Sequence, residues 1–466
     1  YSTERATVPK IKENGVWREA SWEEALAAAA QALKAAGTES GILAHPASSN
    51  EEAQMLVAIA KAFGTSNLDH RIKQMDFADA AVAEAFDAPV SDFAVADTVV
   101  LVGCNLRHEM PLLHQRVHQA VKRGAKVHVI NPVDFDFSFS TASKTLVAPS
   151  QMAAELSSLA ASLPESGKAL LVLGEIAENH ANASHIRAVA RELQQAGKVR
   201  LCRIPQGANA IGMAQAGMLP GQEGKHASAM LDGSLKSVLL FGIEPQYDFS
   251  ETARATKALL SATVIACSAF ETDALMALAD ILLPIGALPE IQASLTNVNG
   301  LDQRAEAAGR LPGLAQSGWR VLRALHDQSG APALAFTDIN GLRAVAVKHK
   351  AVSGTGKSSP AAKSEGFERI STTPIYRSDA VLRRAVALQS HPLTHGARLV
   401  MHPNDARNAG LSEGQMAKVG DGVGTAALPV TISSKLAETC VWIECGYDAT
   451  APLSQTQPLA IVRAVL

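Results

Sequence analysis

What most constrains this chain is a set of short aliphatic, β-branched runs, most of them closed by Gly, Asn or Pro and separated by Ala-rich helical stretches. They are Asp97–Asn105 (DTVVLVGCN), Ala125–Pro132 (AKVHVINP), Ala169–Gly174 (ALLVLG), Ser237–Pro245 (SVLLFGIEP) and Ala262–Ser268 (ATVIACS). Continuous apolar runs, rather than alternating ones, belong to strands covered on both faces, as in parallel sheets built from βαβ units. Between the first two runs, Pro111–Gly124 opens with Pro at a first helical position and closes on Gly, so residues 97–132 read as one β-α-β crossover. Ligands of open α/β sheets bind at the carboxyl ends of the strands. Gly103, Asn105 and Asn131 fall at that edge and are the pocket candidates of this crossover.

Two further helices are expected near the N-terminus. In Ala20–Gly37, Ser21 is the expected N-cap, with Glu24 three residues on as a capping box; in Asn50–Gly64, Asn50 is the expected cap. The 466 residues correspond to about three domains at roughly 150 residues each. We divide the chain into interleaved α/β domains over 1–350, a Ser/Gly/Pro/Lys-rich linker over 351–373, and a β-rich domain over 374–466. The chain begins at Tyr1 with no signal-peptide pattern and is expected to be a piece of a longer polypeptide.

Composition removes several function classes. With 42 basic and 45 acidic residues the net charge is −3, so no global positive field draws in nucleic acid. No run approaches the eighteen or so apolar residues of a membrane-spanning helix. The five cysteines (104, 202, 267, 440 and 445) are too scattered for a disulfide framework, a structural zinc site or a cubane cluster, and they suggest an intracellular protein. Three local motifs carry no chemistry of their own. SGTGKSS at 353–359 has the wrong glycine spacing for a phosphate loop. His114 and His118 share a helical face without a third ligand and read as an exposed polar face, while His391 and His395 straddle Pro392. Asp69, His70, Arg71, Lys73 and Asp76 lack a nucleophile and read as surface charges or an ion-pair network.

Read in order, GVWREASWEEAL, NEEAQMLVAIAKAFGTSNLDHR, DTVVLVGCNLRHEMPLLHQRVHQAVKRGAKVHVINP, ETDALMALADILLPIGALPE with TNVNGLDQR, and MHPNDARNAGLSEGQMAKV resemble successive blocks of the molybdopterin-dependent oxidoreductase superfamily. LDHRIKQMDF and the stretch through VINPVDFDF are most similar to the branch formed by the large cluster-bearing subunit of bacterial NADH-quinone oxidoreductase, respiratory complex I. The resemblance implies two Rossmann-related α/β domains and a C-terminal double-psi β-barrel. It also implies a preceding region with iron–sulfur clusters, other subunits of the complex I peripheral arm as partners, and a place on the cytoplasmic face of the bacterial inner membrane. In active members a Cys, selenocysteine or Ser follows the N-x-D block and ligates molybdenum. Here Asn67–Leu68–Asp69 is followed by HRIKQMDFADA. The D-P-R-x-T block is Asn131–Pro132–Val133–Asp134–Phe135, without its Arg and with Asp136 close by, and of G-T-x-x-N-x-E-G-R only Asn297 and Asn299–Gly300 remain. The resemblance therefore implies a fold retained without its cofactor: no molybdopterin, no metal, no catalytic residue, and at most a vestigial pocket at Gly103, Asn105, Asn131 and Asn297. An active formate dehydrogenase-like oxidoreductase and a cofactor-free adaptor are the alternative functions.

Overall fold

The computed structural model describes residues 3–163, 169–351, 353–354, 366–455 and 458–464. The chain forms two compact units, residues 1–72 with 205–351, and residues 73–204 with 352–466. This differs from a division at 350 and 374. The chain leaves the first unit's sheet after its strand Leu68–Asp69 and returns to it only at Ser237–Phe241, and the C-terminal strands group with residues 73–204.

The first unit carries a seven-stranded sheet. From edge to edge its strands are Val16–Glu19, Lys10–Glu13, Ile281–Pro284, Thr263–Ser268, Ser237–Phe241, Ser40–Ala44 and Leu68–Asp69. The last five are parallel and the N-terminal hairpin joins antiparallel. Every residue of Ser40–Ala44 and of Ser237–Phe241 is buried, which is why both read as unbroken apolar runs. Helices Trp22–Ala36, Asn50–Phe63 and Gly318–Asp327 pack Leu33, Leu56, Ile59, Trp319 and Leu322 into one core with Ile42, Leu239 and Ile265 of the sheet.

Caps fix where these helices start. Ser21 accepts the N–H of Glu24 at 3.1 Å, and the Glu24 carboxylate pairs with Arg18. The second helix is capped by Ser49 and not by Asn50. The Ser49 side chain takes the N–H of Glu52, and the Glu52 carboxylate takes the N–H of Ser49, a complete capping box. Gly64 ends that helix in the left-handed region, at φ 74°.

The second unit carries a five-stranded sheet, parallel throughout, in the order Ser143–Leu146, Lys126–Asn131, Thr98–Val102, Ala169–Leu173, Val199–Arg203. It also carries a six-stranded mixed sheet, Glu368–Ile370, Cys440–Trp442, Leu399–Met401, Thr425–Ile432, Met416–Gly420 and Ala460–Arg463. Phe367 and Leu459 exchange backbone bonds of 2.9 and 2.8 Å, joining the first and last of these strands so that the sheet curls closed around Met401, Leu428 and Val441. Of the expected linker, residues 352 and 355–365 lie outside the described residues, as does SGTGKSS beyond 353–354. Residues 368–370 are a strand of the curled sheet. Among the described residues, no helix is long and apolar enough to cross a membrane.

Candidate functional site

Each unit has a point where its strand order reverses, and an open α/β sheet forms its ligand crevice there. In the second unit the chain runs outward from Thr98–Val102 to Ser143–Leu146, then resumes on the other side with Ala169–Leu173. The crevice position therefore lies between the turn after Val102 and the turn after Leu173.

Backbone fills that position. Gly103 sits at φ 55°, and a Cβ there would lie 2.5 Å from the Ala177 nitrogen. A Cβ on Gly174 would lie 2.5 Å from the Cα of Cys104. Asn131 clamps the first turn, its Oδ1 accepting the Cys104 N–H at 2.7 Å and its Nδ2 donating to the Cys104 carbonyl at 3.0 Å. The free backbone donors at this edge, which in a dinucleotide site face a diphosphate, are taken by a side chain of the chain itself. Glu109 Oε1 accepts the N–H of Asn105 and its Oε2 accepts the N–H of Glu175, both at 2.6 Å. Burial, together with the neighbouring Glu175, pushes the Glu109 carboxyl up to about 8. In either protonation state its two oxygens occupy both donors.

Two further half-buried carboxyl groups, Glu175 and Glu444, lie close to one another. Glu175 Oε1 accepts the N–H and hydroxyl of Thr373 at 2.9 and 2.7 Å, and burial raises its pKa. Burial pushes Glu444 up to about 7, and its Oε2 has no hydrogen-bond partner among the described residues. The Asn131–Phe135 segment pairs with the C-terminal chain through Asp134 N–H to Lys435 O at 2.7 Å, and Asp134 itself binds Lys144 at 2.6 Å. Val133 stands where the family's block carries the arginine whose planar fork suits a diphosphate.

The first unit repeats the pattern at its own reversal point, between Ser40–Ala44 and Ser237–Phe241. Asp248, fully buried, accepts the Glu244 N–H at 2.7 Å, and its Oδ1 lies 3.8 Å from Nε2 of His45. Glu52, which burial pushes up to about 7, holds the Ser49 N–H. At both edges, then, carboxyl groups of the chain accept backbone N–H groups next to the strand ends.

The remaining candidates go to structural work. Asn297 lies in the first unit, at the turn between strands Ala293–Thr296 and Asp302–Ala305, where its Oδ1 accepts the N–H groups of Asn299 and Leu301 at 2.9 and 3.1 Å. Asp69 and His70 are buried rather than surface charges. Asp69 binds Arg71 Nε and Nη2 at 2.9 Å each and takes the Ala227 N–H at 3.0 Å. Burial opposes the Asp69 charge, but Arg71 outweighs it and the pKa falls. His70 Nδ1 is 2.7 Å from the Met218 carbonyl, and burial lowers its pKa. In the second unit, Lys73 reaches Thr373 at 3.3 Å and Asp76 takes the Ser184 N–H at 2.8 Å. His114 is not exposed: it is buried with its ring centroid 4.9 Å from that of Phe139, because the apolar face of its helix carries it inward. His391 rests edge-on against Tyr376. All five cysteines are buried and reduced, and no group of three metal-binding side chains gathers among the described residues.

Sequence reasoning missed Glu109 and Glu175. Their signal was present as an acid four residues after Asn105 and another directly after Gly174, two strand-end turns each followed by a carboxylate.

Residues 5–328 match the family model described as molybdopterin oxidoreductase. The F420-dependent formate dehydrogenase subunit alpha of Methanocaldococcus jannaschii is 30% identical over 139 residues, 28% of this chain and 21% of that protein. The mitochondrial NADH-ubiquinone oxidoreductase 78 kDa subunit of Neurospora crassa is 25% identical over 360 residues, covering 73% of this chain and 46% of that protein. Its counterpart in Candida albicans is 22% identical over 348 residues, covering 73% and 47%. The chain thus spans less than half the length of these curated relatives. Among solved structures, acetylene hydratase from Pelobacter acetylenicus superposes with a TM-score of 0.66 at 13% identity, over 95% of this chain and 85% of that one, a likeness of fold.

Proposed function

The chain belongs to the molybdopterin oxidoreductase family, and we propose that it is a non-catalytic structural region of the large cluster-bearing subunit of a bacterial NADH-quinone oxidoreductase. The observation that carries this reading is Glu109. A family pocket that worked on a diphosphate would leave the Asn105 and Glu175 N–H groups free for anionic oxygens, whereas here the half-buried Glu109 carboxyl group occupies both. Likeness to the 78 kDa subunits over nearly three quarters of the chain supports the choice of branch. On this reading the iron–sulfur clusters and the electron path from NADH to quinone lie in other parts of the subunit and complex. The region packs against other subunits of the peripheral arm on the cytoplasmic face of a bacterial inner membrane.

The chemistry that molybdopterin would supply is two-electron oxidoreduction at a molybdenum centre, and no step is assigned to it. The test is elemental analysis of the full-length protein, produced with ample molybdate and purified from its native membrane. We expect molybdenum well below stoichiometry, and co-purification with NADH dehydrogenase activity. One molybdenum per chain would overturn the reading in favour of a formate dehydrogenase-like enzyme, the activity named for the M. jannaschii relative. A metal-free protein recovered without NADH dehydrogenase activity would overturn it in favour of an adaptor.

A further inference from the structure

Helix Pro111–Lys122 of the second unit turns Leu113, His114, Val117 and Ala120 into the core and leaves its other face in solvent. That face is strongly basic. The chain carries a net charge of −3, yet residues 110–133 hold Arg116, Lys122, Arg123 and Lys126 with no Asp or Glu among them. All four cations are exposed, and among the described residues no carboxylate pairs with any of them. Lys122 and Arg123 close the helix, where its dipole favours cations, but Arg116 lies more than a turn from that end and Lys126 stands on the next strand, outside the reach of that effect. The basic row continues into an open groove of about 660 Å³, where Val95, Asp97, Arg123, Lys126 and His128 are among the lining residues. The groove sits at the amino ends of strands Thr98–Val102 and Lys126–Asn131, the opposite edge of the sheet from the turns after Val102 and Leu173. Arg123 Nη1 donates to the Ala94 carbonyl at 3.0 Å, which anchors its guanidinium at the groove. His128 Nδ1 lies 2.8 Å from the Ser143 hydroxyl, and burial together with Lys126 lowers its pKa, so it adds no charge at neutral pH. Asp97 is the one acid among the described lining residues.

Spacing and the apolar ends of the row then select the partner. Arg116 and Arg123 share a helical face two turns apart, about 10 Å at 1.5 Å per residue, so one small anion cannot meet both. Leu112, 82% exposed, stands one turn before Arg116 on the same face, and Val95, 66% exposed, stands at the groove. A phosphate backbone gains nothing from two exposed aliphatic side chains, whereas a peptide can bury both. We propose that this face docks an acidic segment of a partner protein, its carboxylates lying along Arg116, Lys122, Arg123 and Lys126 and its apolar residues against Leu112 and Val95. The proposal does not rest on which assembly the chain belongs to, nor on whether it carries molybdenum.

Fluorescence anisotropy with the whole chain tests it. The probe is a fluorescein-labelled, terminally capped peptide of about nine residues, glutamate throughout except for a leucine near each end, about 30 Å long when extended. It binds saturably, and binding weakens steeply as sodium chloride rises from about 50 to about 300 mM. Lys122→Glu combined with Lys126→Glu changes two exposed side chains that make no hydrogen bond among the described residues, so the variant folds, and it loses at least about tenfold in affinity at the lower salt. Leu112→Ser weakens binding several-fold through the lost apolar contact. Lys34→Glu, exposed on helix Trp22–Ala36 of the first unit, leaves it unchanged. The assignment is overturned by an absence of saturable binding, by the double variant or Leu112→Ser binding like the parent chain, or by Lys34→Glu costing as much as the double variant. It is equally overturned if a single-stranded oligonucleotide of equal charge binds more tightly than the peptide, or if inorganic phosphate displaces the peptide better than chloride at matched ionic strength.

Discussion

A single carboxylate decides more here than any motif. Glu109 joins the ends of two neighbouring strands by bonding one N–H from each following turn. In Glu109→Gln one of those N–H groups must face an amide NH₂ instead of an oxygen. We expect a loss of about 1 kcal/mol, the lower end for an unsatisfied donor because both N–H groups are only part-buried, measured by urea unfolding. The pH dependence has a definite sign. Glu109, at about 8, and Glu52, at about 7, both sit above the ordinary 4.5. Between those values these two groups hold protons in the folded chain that the unfolded chain has released, so their contribution to stability is full at or below about pH 4.5 and is lost as pH rises through about 8. Asp69 acts oppositely, since its lowered pKa contributes stability that is lost only in more acidic solution, below 3.8. The lowered pKa of buried His70 acts in the opposite sense below about pH 6.5, so calorimetry from pH 7 to 8 is the test: Tm should fall with pH, and less steeply in Glu109→Gln than in the parent chain. Gly103→Ala makes a second test, because both its φ of 55° and the 2.5 Å approach to Ala177 reject a Cβ. It should cost more than the ~1 kcal/mol of an ordinary glycine replacement at positive φ.

Elements in this chain start where side chains satisfy backbone, and the outcome turns on one residue more or less. Asn50 and Ser49 are both competent caps. Ser49 takes the role because Glu52 lies three residues after it and can return to its N–H, while Asn50 is drawn into bonds with Ser294 and Asn209. Ser49→Ala should therefore destabilise by about 0.5–2 kcal/mol, read from thermal unfolding. A second element-scale device is wholly tertiary. Arg187 is completely buried, bonding Asp79 at 2.8 and 2.7 Å and Glu178 at 3.3 Å, while Arg203 bonds Glu178 twice at 2.8 Å. This network ties the irregular segment after residue 73 to helix Ala183–Gln195 and strand Val199–Arg203. Arg187→Met leaves Asp79 short of its main partner and should cost about 3–5 kcal/mol, enough to lower soluble yield and the urea midpoint together.

At the scale of the whole molecule, both units are assembled from distant stretches of chain. Strand Ser40–Ala44 is buried on both faces and bonded on one side by Ser237–Phe241. A chain ending at residue 204 would expose it as an unpaired apolar edge, so we expect that truncation to be recovered mainly in the insoluble fraction, with solubility returning only when residues through 351 are present. The buried strands, the crossover at 97–132, the helix termini near Gly37 and Gly64 and the family itself were legible in the sequence, because each follows from local residue patterns: apolar runs, capping residues and ordered blocks. The burial of Asp69, His70 and His114, the cut of the chain at 72 and 204, and the strand inside the stretch expected as linker were not. Neither was the placing of Asn131 as a clamp or of Glu109 across two strand ends. These depend on which distant backbone groups arrive beside a given side chain, and a carboxylate becomes a bridge only when folding brings a second N–H within 2.6 Å of it. What the sequence determined by itself was the kind of fold and its family. What only the tertiary structure decided was the fate of the donors left behind, because buried hydrogen-bonding groups must be satisfied by whatever the packed chain places next to them.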